Sequence, residues 1–138
     1  MMISTRGRYA LRVMVDMVRQ NTAGFIPLSD VAERQGISEK YLESIVSSLA
    51  KKGLLDSVRG KGGGYKLNRP ADEYTVADIL NATEGPMAPV ACLKCNENSC
   101  PRKDTCPTLP LWTQFYQLTT NFFEGITIQQ LVDGNSDL

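Results

Sequence analysis

Residues 29–55 read SDVAERQGISEKYLESIVSSLAKKGLL, and their punctuation decides the fold. A helix from about Leu28 to Gln35 puts Leu28, Val31 and Ala32 on one inward face. Gly36 stops it, Ile37 supplies an apolar plug, and Ser38 offers a side-chain acceptor to the first turn of a second helix. That helix repeats Leu42, Ile45, Val46 and Leu49 at helical spacing and ends at Gly53. Helix, short glycine-containing turn and capped helix make the helix-turn-helix plan.

The flanks extend the plan. Leu54 to Arg59 reads as a strand, GKGGG at 60–64 as a flexible tip, and YKLN at 65–68 as a returning strand, which makes the module a winged helix-turn-helix. The glycines are not a phosphate-binding P-loop: no Ser or Thr follows Lys61, and a strand rather than a helix follows the loop. A plain hairpin tip explains the glycines but not the cations around them, Arg59 and Lys61 on the tip with Lys66 and Arg69 close by. Upstream, Ser4 or Thr5 caps a helix whose face is Ala10, Met14, Met17 and Val18, ended by Asn21 to Gly24. Downstream, Thr75 and Asp78 begin a short helix in capping-box style with Val76, Ile79 and Leu80 inward, and Gly85–Pro86 ends it. From Leu109 a long helix repeats Leu111, Phe115, Leu118 and Phe122 as a coiled-coil-like seam, widened by Trp112, Tyr116 and Phe123. So wide an apolar face late in a small chain predicts a homodimer interface. Thr127 and Gln130 start a last short helix, and the tail from Gly134 is expected to fray.

The expected fold class is therefore mainly α with a small β-wing. Residues 1–69 form the winged helix-turn-helix region, 70–108 a short helix and a cysteine-rich loop, and 109–138 the dimerisation helix and tail. Charge follows the same division. Residues 1–69 hold twelve Lys/Arg against six Asp/Glu and residues 70–138 hold three against nine, so the halves carry +6 and −6 under a net charge of zero. A basic half of this kind suits a polyanion, here double-stranded DNA. Arg12 and Asp16 interrupt the early apolar run, so it is neither an export signal nor a membrane span, and a cytoplasmic address with reduced thiols is expected.

A recognition helix enters the major groove with its N-terminal side chains at the base edges. Ser38, Glu39, Lys40, Tyr41, Glu43 and Ser44 then lie at or near the groove. Lys40 and the hydroxyls suit phosphates or base edges, whereas the Glu43 carboxylate would accept from a cytosine amino group or else stand on a solvated face. Arg59 at the wing base suits a narrow minor groove, and Lys61 at the tip and Lys66 beyond it are expected to meet phosphates. With no histidine in the chain, no catalytic constellation is visible.

All four cysteines, Cys92, Cys95, Cys100 and Cys106, fall in the fifteen residues CLKCNENSCPRKDTC. They are too few for a disulfide scaffold. The short second gap leaves no room for a folded element between two zinc knuckles, and a thioredoxin-like pair would need a βαβ setting. An irregular polar loop can wrap an iron–sulfur cluster, so the spacing puts that first and leaves zinc and redox-active thiols open.

STRGRYAL at 4–11, the 29–55 segment, SVRGKGGGYKL at 57–67, the Cys100/Cys106 spacing and Leu111–Trp112 together resemble the iron–sulfur-cluster regulator family, the IscR-like winged-helix transcription factors. The resemblance spans nearly the whole chain. It implies a homodimeric DNA-binding regulator on a pseudo-palindromic operator, with genes of cluster assembly or sulfur supply as targets. It also implies cluster ligands at Cys106, Cys100 and either Cys92 or Cys95, in a 2Fe–2S or, alternatively, a 4Fe–4S centre. One branch of that family has a histidine three residues past the last cysteine, where this chain has Leu109. An all-cysteine site, an Asp, Glu or Ser ligand, or a residue of the partner subunit would then complete the set.

Overall fold

The computed structural model describes residues 2–134, and the expected fraying of the tail lies outside them. Among the described residues six α-helices and one two-stranded sheet follow one another as α1 (Thr5–Gln20), α2 (Leu28–Gln35), α3 (Glu39–Lys51), β1 (Leu55–Val58), β2 (Gly64–Leu67), α4 (Val76–Glu84), α5 (Leu109–Glu124) and α6 (Ile128–Asp133). The caps are those the sequence encodes. Ser4 accepts from Gly7 N at the start of α1, and Ser38 accepts from Tyr41 N at the start of α3. Gly36 turns the chain between α2 and α3 at a φ of 65°. Thr75 with Asp78 and Thr127 with Gln130 close reciprocal capping boxes on α4 and α6. These two helix starts lie side by side, joined by Val76 N to Ile126 O (2.8 Å) and Ile128 N to Tyr74 O (2.9 Å).

One main core unites the chain: Ala10, Val13, Met14 and Met17 of α1 meet Leu42, Ile45, Val46 and Leu49 of α3, with Tyr74, Ile79 and Ile128 added from downstream. A smaller cluster of Val76, Leu80 and Ile126 gathers Ile3, Met87 and Phe123 around it. Inside the apolar face of α1 sits one charge, Asp16, only 6 % exposed. It accepts from Arg34 Nε and Nη2 (2.8–3.1 Å) and from Gln35 Nε2 (2.9 Å), so α2 is fastened to α1 by a carboxylate with a forked partner.

The wing is longer in pairing than in sequence. β1 and β2 are antiparallel with Leu55 opposite Leu67 and Val58 opposite Gly64, and Ile26 adds an isolated bridge to β2 by exchanging two hydrogen bonds with Tyr65 (2.8 and 3.0 Å). Gly64 permits that approach, since a Cβ there would lie 2.2 Å from the Ile26 carbonyl oxygen. Behind the wing the fully buried Tyr74 donates its hydroxyl to Leu54 O (2.8 Å) and accepts from Asn68 N (3.0 Å).

Candidate nucleic-acid interface and cysteine loop

α3 and the wing face each other across an open cleft of about 840 Å³. Glu39, Lys40, Glu43, Ser44, Ser47 and Lys51 of the helix line one wall, and Ser57, Arg59, Gly63 and Tyr65 of the wing line the other. Of the residues expected at DNA, Lys40, Glu43, Ser44 and Arg59 thus share one concave surface. Ser38 stands at the helix start with its oxygen engaged as the cap (3.1 Å to Tyr41 N). Tyr41 is half-buried, its ring edge-on to Tyr9 with centroids 6.1 Å apart, so it belongs to the seam with α1 more than to the cleft. Lys61 lies beyond the cleft on the exposed tip, in a turn closed by Gly63 N to Gly60 O at 3.0 Å.

Alternation along β2 separates its side chains. Tyr65 lines the cleft, while Lys66 lines a hollow on the other side and holds its ammonium 5.0 Å from the Phe25 ring centroid. Arg69, near the wing cations in sequence, donates to Gly53 O (2.9 Å) and lies over the Tyr74 ring, which makes it part of the wing's foundation. Tyr65 is a cleft residue that spacing alone did not single out. Burial first, then the nearby Glu43 carboxylate, pushes its hydroxyl above the ordinary tyrosine range, and Arg59 opposes them. Arg6 also escaped sequence reasoning. From the first turn of α1 its guanidinium reaches across to α3, donating to Ser44 Oγ (2.8 Å), Ser44 O (2.7 Å) and Ser48 Oγ.

The cysteine loop joins α4 to α5 with little regular structure beyond a short 3-10 turn at Ala91–Leu93. Cys92, Cys100 and Cys106 are half-buried and Cys95 is exposed, all four as free thiols. Asn98 Oδ1 accepts from Cys100 N (3.0 Å), and Cys106 Sγ lies 3.4 Å from Thr108 Oγ1. The Thr108 hydroxyl, followed by the backbone amides there, lowers the Cys106 thiol below its ordinary range. Four free thiols suit iron or zinc by donor chemistry. The arrangement does not fit, because among the described residues no three Cys, Asp or Glu side chains gather closely enough to hold a metal ion. The expected ligand set is not assembled in this fold of the loop.

α5 divides the aromatic residues between two faces. Leu111, Phe115, Leu118 and Phe122 are 57 %, 42 %, 68 % and 54 % exposed, with Trp112 beside them. Tyr116 and Phe123, expected to widen that seam, turn the other way and line a hollow with Ala77, Asn81 and Met87. α5 needs that inner face to attach to α4, so the outer stripe is narrower than the sequence suggests. No helix among the described residues is long and apolar enough to cross a membrane.

Comparison with known proteins agrees with this architecture. The family model Rrf2, described as iron-dependent transcriptional regulator, matches residues 3–134. The HTH-type transcriptional regulator IscR of Escherichia coli is 38 % identical over 138 residues, spanning 100 % of this chain and 84 % of that protein. Among solved structures, CymR, the global cysteine regulator of B. subtilis, superposes with a TM-score of 0.74 at 32 % identity over 99 % of both chains. T. potens IscR gives 0.73 at 30 % identity, over 97 % of this chain and 88 % of its own.

Proposed function

This chain belongs to the Rrf2 family of transcriptional regulators, and on that premise we propose that it reads a pseudo-palindromic operator as a homodimer, with the cysteine loop as its signal input. It is a DNA-binding regulator rather than an enzyme, as its relatives are named. The single observation that carries the DNA reading is the cleft between α3 and the wing, where Glu43 and Arg59 face one space. In this reading α3 enters the major groove. Glu43 accepts from a cytosine amino group, which the Tyr65 hydroxyl and Arg59 help to orient. Arg59 follows the wing into the adjacent minor groove, and Lys40, Lys51 and Lys61 meet phosphates. Ser38 serves chiefly as cap, and Ser44 and Tyr41 hold the helix against α1. Each phosphate neutralised releases counterions, so affinity should fall steeply with salt. Arg59→Ala should cost about 1–3 kcal/mol against the cognate operator. Affinity that is flat in salt and unchanged by this substitution would exclude the cleft as the DNA surface.

For the input, two readings are supported by different observations. The donor set and the iron-dependent description of the family favour an iron–sulfur cluster, 2Fe–2S before 4Fe–4S, on Cys100, Cys106 and one or both of Cys92 and Cys95. It requires the loop to regroup its thiols. The separation of the four free thiols favours a thiol-based input without a cluster. Iron and sulfide analysis of anaerobically purified protein decides between them: stoichiometric iron and sulfide support the cluster, and a colourless protein without either rejects it.

A further inference from the structure

The first turn of α1 is held at both ends by partners far away in sequence. On one side Glu84, the last residue of α4, accepts from Ser4 N (2.9 Å) and from the Ser4 hydroxyl. On the other, Arg6 binds α3 through Ser44 and Ser48. A carboxylate at the C-terminal end of its own helix opposes that helix's dipole, whereas the same carboxylate against the N-terminus of α1 is favoured by that one. Glu84 is therefore placed for α1 rather than for α4. Gly7 completes the fit, because a Cβ there would stand 2.3 Å from the Glu84 carboxylate oxygen. Immediately after Glu84 the chain turns at Gly85 (φ 74°) and runs into the cysteine loop, with Met87 packed on the small cluster that also holds Ile3 and Phe123.

We infer that Glu84, Ser4 and Arg6 form a chain of positioning residues that sets the recognition helix, and that a change in the cysteine loop reaches the operator by loosening this chain at Glu84. The route runs within one subunit: Glu84 fixes the turn that carries Ser4, that turn aims Arg6, and Arg6 fixes Ser44 beside Glu43 on the cleft wall. The loop's part in it rests on the proposed role of that loop as signal input.

The test measures operator affinity for wild type, Glu84→Ala, Arg6→Ala and the double variant, each anaerobically reconstituted with iron and sulfide and each stripped with a chelator. In the reconstituted state, each single substitution is expected to weaken binding about tenfold, the equivalent of one charge-assisted hydrogen bond. Because the two act in series, the double variant should be little worse than the weaker single. The loaded-to-stripped ratio of the wild type should fall towards one in all three. Arg6→Lys should not restore affinity, since an ammonium cannot hold three acceptors as the fork does. Gly7→Ala, which places a better helix former on a buried turn but displaces the carboxylate, should keep the fold by circular dichroism and still lose the ratio. Multiplying losses in the double variant, full rescue by lysine, or a wild-type ratio preserved in Glu84→Ala would each overturn the inference. A ratio of one in the wild type itself would instead remove the loop as input, and the loop's share of this route with it.

Discussion

Asp16 carries a full charge within the apolar face of α1, and its retention there depends on Arg34 and Gln35 (2.8–3.1 Å). Asp16→Asn keeps the shape, removes the charge and turns an acceptor toward Arg34 into a partial donor. Thermal or urea unfolding should show a loss of about 1–3 kcal/mol. Sequence spacing showed Asp16 only as an interruption of an apolar run, because its partners sit in the next helix, where no local periodicity links them. Arg6 was illegible for the same reason, its acceptors lying 38 and 42 residues away. Ser38 and Thr75, by contrast, cap amides three residues ahead and could be read directly. Tyr74 is a case with a pH signature. Burial holds its hydroxyl above the ordinary tyrosine range, so the folded chain keeps a proton that the unfolded chain releases. Its stabilisation is complete below the unfolded value of about 10 and is lost as pH rises through the folded one. Melting temperature should decline above about pH 10, and Tyr74→Phe, which also forfeits the hydrogen bonds of the hydroxyl with Leu54 O, Asn68 N and Asn68 Oδ1, should flatten that decline while lowering stability near neutrality.

At the scale of elements, the recognition helix and its apolar face follow from period alone: Leu42, Ile45, Val46 and Leu49 are each no more than 1 % exposed. The wing is legible as two strands but not in its bridge to Ile26, which pairs as a single residue and leaves no alternating pattern to read. That bridge gives Gly64 its task. Gly64→Ala would drive a methyl group into the Ile26 carbonyl at a φ of 151°, so the wing should detach from its support. Amide exchange of Ile26 and Tyr65 should accelerate and operator binding weaken with the recognition helix intact; protected amides at both positions would count against this. For α5 the seam was found by its spacing, but the split of Tyr116 and Phe123 to the inner face was not. A helix apolar on most of its circumference carries no mark of which side meets its own chain. The thiol loop was the least legible of all, because cysteine spacing constrains which metals are reasonable without fixing whether the sulfurs meet.

For the whole molecule, the exposed stripe Leu111, Phe115, Leu118 and Phe122 is the surface we propose for a second copy, and such a two-fold pair would present two α3 helices to half-sites about one helical turn or a multiple apart. Phe115→Asp should yield a folded monomer by light scattering, with operator affinity reduced at least about a hundredfold because the second half-site is lost. A dimer that survives the substitution would put the interface elsewhere. The basic half and the acidic half, opposite in charge, are nevertheless not separable as packed matter. Ile128 of α6 is fully buried in the same core as Ala10 and Met14, and Tyr74 lies beneath the wing. During synthesis the ribosome therefore releases a helix-turn-helix whose core still lacks its closing side chain. The DNA-reading half becomes complete only after some sixty further residues, the thiol loop among them, have emerged. Truncation ahead of α6 should therefore leave the recognition helix on an unclosed core, which amide exchange of α3 in such a shortened chain would show.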